Sequence, residues 1–206
     1  MDLQFYGANC VSLTSKSTRF VIDDNLAELG GKSIVKSGDV ALYTTPMADK
    51  PAARLVFDGP GEYEVADISI IGIPARAHVD ESGENATMFK LVVGENSVLF
   101  TGHIYPELND VQLEAIGMID ILVIPVGGNG YTVDPVGALK LIKAIEPKLV
   151  IPTHYADEVL KYPMPQQELS VALKELGMEP KETVSKFKLK PAELTDVTQL
   201  VVLEKS

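Results

Sequence analysis

Ile119-Asp120-Ile121-Leu122-Val123-Ile124-Pro125 is an almost uninterrupted apolar run, the pattern of a strand buried on both faces. Asp134-Pro135 follows, pairing a favoured N-cap with a residue suited to the first helical position. Ala138, Leu141, Ile142 and Ile145 then recur at helical spacing and make one apolar stripe. Pro147 closes the helix, and Leu149-Val150-Ile151-Pro152 is a second buried strand. Strand, helix and strand at this spacing predict a βαβ unit with a parallel pair.

Outward from this unit, Asn109 to Ile116 reads as a short helix capped by Asn109 and stopped by Gly117. Gln166 to Leu176 reads as another, stopped by Gly177. Val184 to Leu189 and Thr198 to Leu203 read as late strands. The first hundred residues are β-rich. Leu3 to Tyr6, Cys10 to Thr14, Arg19 to Ile22, Val40 to Thr44, Arg54 to Phe57, Ile68 to Ile73, Met88 to Val93 and Val98 to Thr101 are short runs of β-formers. Asp58-Gly59-Pro60-Gly61 and Val93-Gly94-Glu95-Asn96 supply turn chemistry between them. Regular spacing of this kind predicts antiparallel meanders.

With 206 residues, 46% of them apolar, the chain can bury a substantial core as a single domain over residues 1–206. Its net charge of −11 repels phosphate backbones, so general nucleic-acid binding is not expected. Lys186-Phe187-Lys188-Leu189-Lys190 is basic but alternates, which puts Phe187 and Leu189 in the core and the lysines in solvent. The lone cysteine, Cys10, lies in an apolar stretch with no basic neighbour and reads as a buried structural thiol. No apolar run reaches the ~20 residues that span a bilayer, and Met1 to Gly7 lacks the pattern of a signal peptide. The expected location is cytoplasmic, away from membranes.

The three histidines are His78, His103 and His154, and each directly follows a β-like segment. A lone histidine at a strand end is more often a hydrogen-bonded structural residue than a ligand. Three so placed, with no others in the chain, point to a shared sheet edge where a site is built. Gly127-Gly128-Asn129-Gly130 lacks the lysine and spacing of a phosphate loop and reads as a flexible loop over that edge. Arg76, two residues before His78, is suited either to an anionic group or to a surface ion pair. No Gly-x-Ser-x-Gly nucleophile turn is present.

Several stretches resemble the metallo-β-lactamase superfamily. They are Phe5-Tyr6-Gly7-Ala8-Asn9-Cys10, Arg19 to Asp23, Gly59-Pro60-Gly61-Glu62-Tyr63-Glu64-Val65, and above all Ile124 to Gly128 through Asp134-Pro135 to Val150-Ile151-Pro152-Thr153-His154-Tyr155. The likeness looks closest to the ascorbate-6-phosphate lactonase-like branch of small metal-dependent hydrolases. It implies an α/β fold, an αββα sandwich with the site at the sheet edge between its halves. That family marks its site with a His-x-His-x-Asp-His loop that offers several ligands from one turn. The matching loop here is Thr44-Thr45-Pro46-Met47-Ala48-Asp49-Lys50, in which Thr45, Met47 and Lys50 stand at the histidine positions and Asp49 survives. His78 and His154 match two further family histidines, and His103 falls where the family has a bridging Asp.

The resemblance therefore implies that Asp49, His78, His103 and His154 are the candidate metal ligands, with Asp49, Lys50 and His78 the candidates for catalysis. A two-metal site is not expected. One divalent ion (zinc, manganese or iron), held by Asp49, His103 and His154, would make a reduced hydrolase acting on a small substrate, an anionic one among the candidates. The alternative is a metal-free, non-catalytic relative that binds a small molecule or serves assembly, with Lys50 neutralising Asp49 in place of the lost cation. The oligomeric state is not legible.

Overall fold

The structure is a computed structural model and describes residues 1–79, 83, 85–189, 194, 195 and 197–206. Two sheets face each other. The six-stranded one runs β13 (Phe187–Lys188), β1 (Asp2–Gly7), β2 (Cys10–Ser15), β3 (Thr18–Ile22), β4 (Val40–Leu42), β5 (Leu55–Phe57). The eight-stranded one runs β12 (Glu182–Val184), β14 (Gln199–Leu203), β11 (Leu149–Thr153), β10 (Ile121–Pro125), β9 (Asn96–Phe100), β8 (Ala86–Val93), β7 (Ile68–Ala75), β6 (Gly61–Val65). Period-2 alternation decides what goes between them. Leu3, Phe5, Leu13, Phe20 and Leu42 from one sheet meet Ile70, Phe89, Phe100, Val123 and Ile151 from the other in a continuous core.

The opposite face of the larger sheet is also apolar, as fully buried parallel strands require. Leu99, Leu122, Ile124 and Val150 pack there against Ala138, Leu141 and Ile145 of α2 (Pro135–Ile145) and Ala172 and Leu176 of α3 (Leu169–Leu176). Here α2 begins as expected: Asp134 accepts from the Gly137 amide at 2.6 Å, and Pro135 occupies the first turn. The remaining helix, α1 (Asp110–Ile116), has the full reciprocal cap between Asn109 and Gln112. The outer face of the smaller sheet carries no helix among the described residues. Turns near Leu26, Leu29 and Leu160 cover Ala8, Cys10 and Val21 there, and Cys10 is buried as expected.

Four expectations need correction. The antiparallel meander holds for β1, β2 and β3, but β4 and β5 join in parallel. The long segments 23–39 and 43–54 give the chain room to cross back. Gly61, read as the last residue of a turn, opens strand β6, antiparallel to β7 and not anticipated as a strand; its glutamates point outward and Tyr63 packs on Phe57 with ring centroids 4.4 Å apart. The single late strand Val184 to Leu189 is two strands in different sheets, β12 and β13. Phe187 is buried with Lys186 and Lys188 outside, whereas Lys190 lies outside the described residues. Finally, α3 starts at Leu169 and not at Gln166, because Gln166 and Gln167 are held in contacts at the sheet edge.

Candidate functional site at the sheet edge

Parallel strands β9, β10 and β11 all end at one edge of the larger sheet, the place where open α/β sheets put ligands. Just past β9 lies His103, and directly after β11 lies His154. The two rings meet edge to face with centroids 4.5 Å apart. Tyr131, from the loop after β10, and Tyr162 stand against His154 at 5.7 and 4.8 Å.

His154 is buried and its backbone is left-handed, with φ of 53°, a conformation unusual for a residue other than glycine. Its N–H donates to the Ala8 carbonyl at 2.8 Å, which ties β11 to the turn after β1. Gln166 Nε2 donates to the Met164 carbonyl, so its Oε1 faces His154 Nδ1 at 3.2 Å as an acceptor. This contact puts the ring proton on Nδ1 and leaves Nε2 with its lone pair. Burial pushes the imidazole down to about 4. Burial, with His154 and His78 nearby, also holds His103 well below the usual histidine range. Both rings are neutral at pH 7.

Opposite them stands the end of β3. Asp23 is buried with φ of 52° and accepts from both the backbone N–H and the hydroxyl of Thr44, at 2.7 and 2.6 Å. Burial raises its carboxyl to about 6 despite these bonds. Thr44 in turn sits against Gly102, where a Cβ would collide with its side chain, so the turn that delivers His103 needs glycine. Between these walls lies a cavity of about 220 Å³, lined by Asn9, Asp23, Asn25, Glu28, Tyr43 and His103, with residues 45–48 and Tyr131 around them.

The sequence-predicted residues divide. His103 and His154 are brought together. His78 is beside His103 through its backbone, its N–H donating to the His103 carbonyl at 2.7 Å. Asp49 is exposed and does not line the cavity. Lys50 pairs with Asp58, not with Asp49, so its expected role as a stand-in cation beside Asp49 is corrected: Asp58, at the start of the turn after β5, is its partner. Arg76 stacks over the Tyr105 ring at 3.9 Å and does not line the cavity. Among the described residues, no three His, Cys, Asp or Glu side chains gather as a metal ion would require. Asp23, whose two oxygens accept from Thr44, is in no such cluster among the described residues either. Asn9, Asn25, Glu28, Tyr43 and Tyr131 were not singled out from sequence. Of these, only Asn9 lies in a stretch that carried the resemblance, Phe5 to Cys10.

A family model described as the beta-lactamase superfamily domain matches residues 2–154. A metal-dependent hydrolase of Carboxydothermus hydrogenoformans is 35% identical over 130 residues, covering 57% of this chain and 57% of that protein. One of Pyrococcus abyssi is 29% identical over 137 residues, covering 63% and 58%. The matched region thus spans less than three-fifths of these relatives' length. A structure from Thermotoga maritima, described as a Zn-dependent hydrolase of the metallo-β-lactamase superfamily, superposes with a TM-score of 0.74 at 25% identity, covering 98% of each chain. These matches bear on the superfamily and do not single out a lactonase-like branch.

Proposed function

The chain belongs to the beta-lactamase superfamily domain family, and from that premise we propose that its sheet-edge cavity is a metal-independent binding site for a small molecule. The relatives carry the name of metal-dependent hydrolases. In this chain the loop that would supply most ligands holds Thr45, Met47 and Lys50 instead, and the carboxylate it retains, Asp49, faces solvent. The reading rests on one observation: among the described residues, no His, Cys, Asp or Glu side chain joins His103 and His154 in a three-ligand cluster. Two imidazoles without a carboxylate or a third histidine fall short of the three protein ligands of catalytic zinc sites.

What remains suits binding. The cavity is walled by turns and strand ends, and its size falls below the ~300 Å³ at which drug-sized pockets begin. It suits a small compound. The net charge of −11 argues against nucleic acid as the partner.

One observation favours the second reading, a one-metal hydrolase. Gln166 fixes the tautomer of His154 so that Nε2 keeps its lone pair, which is how outer-sphere groups prepare histidine ligands. Thermal melts separate the two. Protein stripped with chelator is melted alone and with zinc, manganese or ferrous iron at ten times its concentration. No rise in Tm with any ion is expected. A rise that is lost in His154→Gln would establish the one-metal reading instead, since an ion that binds only the folded state must stabilise it.

A further inference from the structure

The smaller sheet ends at β5, and no described strand pairs with its far side. An open edge presents unpaired N–H and C=O groups, and proteins usually blunt it with charge, proline or a bulge. Here the edge is Leu55-Val56-Phe57, with Leu55 40% and Val56 38% exposed.

The register on β4 decides what points where. The Phe57 carbonyl accepts from the Tyr43 N–H at 2.9 Å, so Phe57 turns its backbone toward β4. Alternation along the strand then turns the N–H and C=O of Val56 to the open side. Leu55 and Phe57 lie beside Val40 and Leu42, which face the larger sheet in the core, whereas Val56 lies beside Ala41 on the outer face. The flanking residues carry opposite charges. Arg54 stands just before the strand and is exposed, without a side-chain partner among the described residues. Asp58 stands just after it, and its side chain stays 48% exposed beside Lys50.

Such an edge is complementary to itself. We propose that β5 pairs antiparallel with β5 of a second copy of this chain, about a two-fold axis at Val56. In that register the two Val56 residues exchange both N–H···O=C bonds. Leu55 of each copy lies opposite Phe57 of the other, on the face that continues the core. Arg54 of each lies opposite Asp58 of the other. The contact is isologous, so every gain counts twice. The open edge of the larger sheet at β6 lacks this match. The same operation about Tyr63 would set Glu62 against Glu64, both exposed, and like charges directly opposite are destabilising. Three paired residues a side cover less than the ~1,200 Å² of a stable interface, so the dimer is weak and forms as concentration rises. This pairing does not depend on what the cavity binds.

Sedimentation velocity of the full chain over rising concentration reads the equilibrium, and backbone amide hydrogen exchange locates it. A monomer–dimer equilibrium is expected, with exchange at the Val56 amide slowing as the dimer forms. Val56→Pro removes the outward N–H and no bond to β4, and an edge strand tolerates proline where the N–H faces solvent. That variant should fold and stay monomeric. Arg54→Glu sets like charges opposite each other at two symmetry-related places and should weaken dimerisation roughly tenfold. Combining Arg54→Glu with Asp58→Arg should recover affinity. The charge variants decide the matter even where Val56→Pro does not fold. A chain that stays monomeric at the highest concentration reached would overturn the proposal. So would a dimer that Arg54→Glu leaves intact, or one that forms without protecting the Val56 amide, because either uses another surface.

Discussion

At the scale of single residues, His154 carries the most constraint per atom. It has a left-handed backbone, a buried ring among three aromatic neighbours, and a tautomer set by Gln166. Its folded-state pKa, about 4, lies below the ordinary 6.5. A depressed pKa means the folded state favours the neutral ring. The ring therefore contributes stability that is present above pH 6.5 and lost as pH falls through about 4. The full difference corresponds to about 3 kcal/mol. Chemical denaturation of wild type and His154→Gln at pH 7 and pH 4.5 should show the wild type losing more stability on acidification. Equal losses would mean the ring is not desolvated. Asp23 has the opposite sign. Its carboxyl is raised to about 6 by burial, so its contribution is complete below about 3.8 and lost as pH rises through 6. The carboxyl carbon of Asp23 should titrate near 6 by NMR, and a midpoint near 3.8 would contradict its burial.

At the scale of elements, the βαβ unit was the most legible part of the sequence, because β10 and β11 are buried on both faces and α2 has unambiguous end signals. Asp134→Ala should cost about 0.5–2 kcal/mol by removing the cap on Gly137, measured by urea denaturation. An unchanged midpoint would show the cap to be dispensable. Less legible were elements whose sequence says nothing of their partners. The Gly-Glu-Tyr-Glu-Val of β6 is dominated by its glycine and glutamates, and becomes a strand because β7 is there to pair with it. α3 loses its first turn because Gln166 and Gln167 bond to His154 and Gly127 across the sheet edge. That demand comes from tertiary structure and leaves no trace in periodicity. Gly127 belongs to the same junction. A Cβ there would collide with the His154 carbonyl and the Gln166 side chain. The carbonyl is backbone and cannot swing aside, so Gly127→Ala should destabilise by at least about 2 kcal/mol. It should also move the His154 resonances, and a variant as stable as wild type would mean the β10 and α3 junctions are looser than described.

At the scale of the whole molecule, the eight-stranded sheet alone carries the three histidines, after β7, β9 and β11, and their places after strands were readable from the sequence. The cavity's character was not. Asn9, Asn25, Tyr43 and Glu28 come from separate turns and strand ends of the smaller sheet's half, and only folding places them opposite His103. Likewise the sequence neighbours Asp49 and Lys50 suggested a pair, whereas the turn after β5 gives Lys50 a different partner in Asp58. The central claim is that this edge, inherited from a metal-site fold, works without metal. Zinc titration of chelator-stripped protein, followed through the imidazole nitrogens of His78, His103 and His154, tests it most directly. The account predicts that the His103 and His154 signals stay in place at one equivalent of zinc; a stoichiometric shift of both, abolished by His154→Gln, would contradict it.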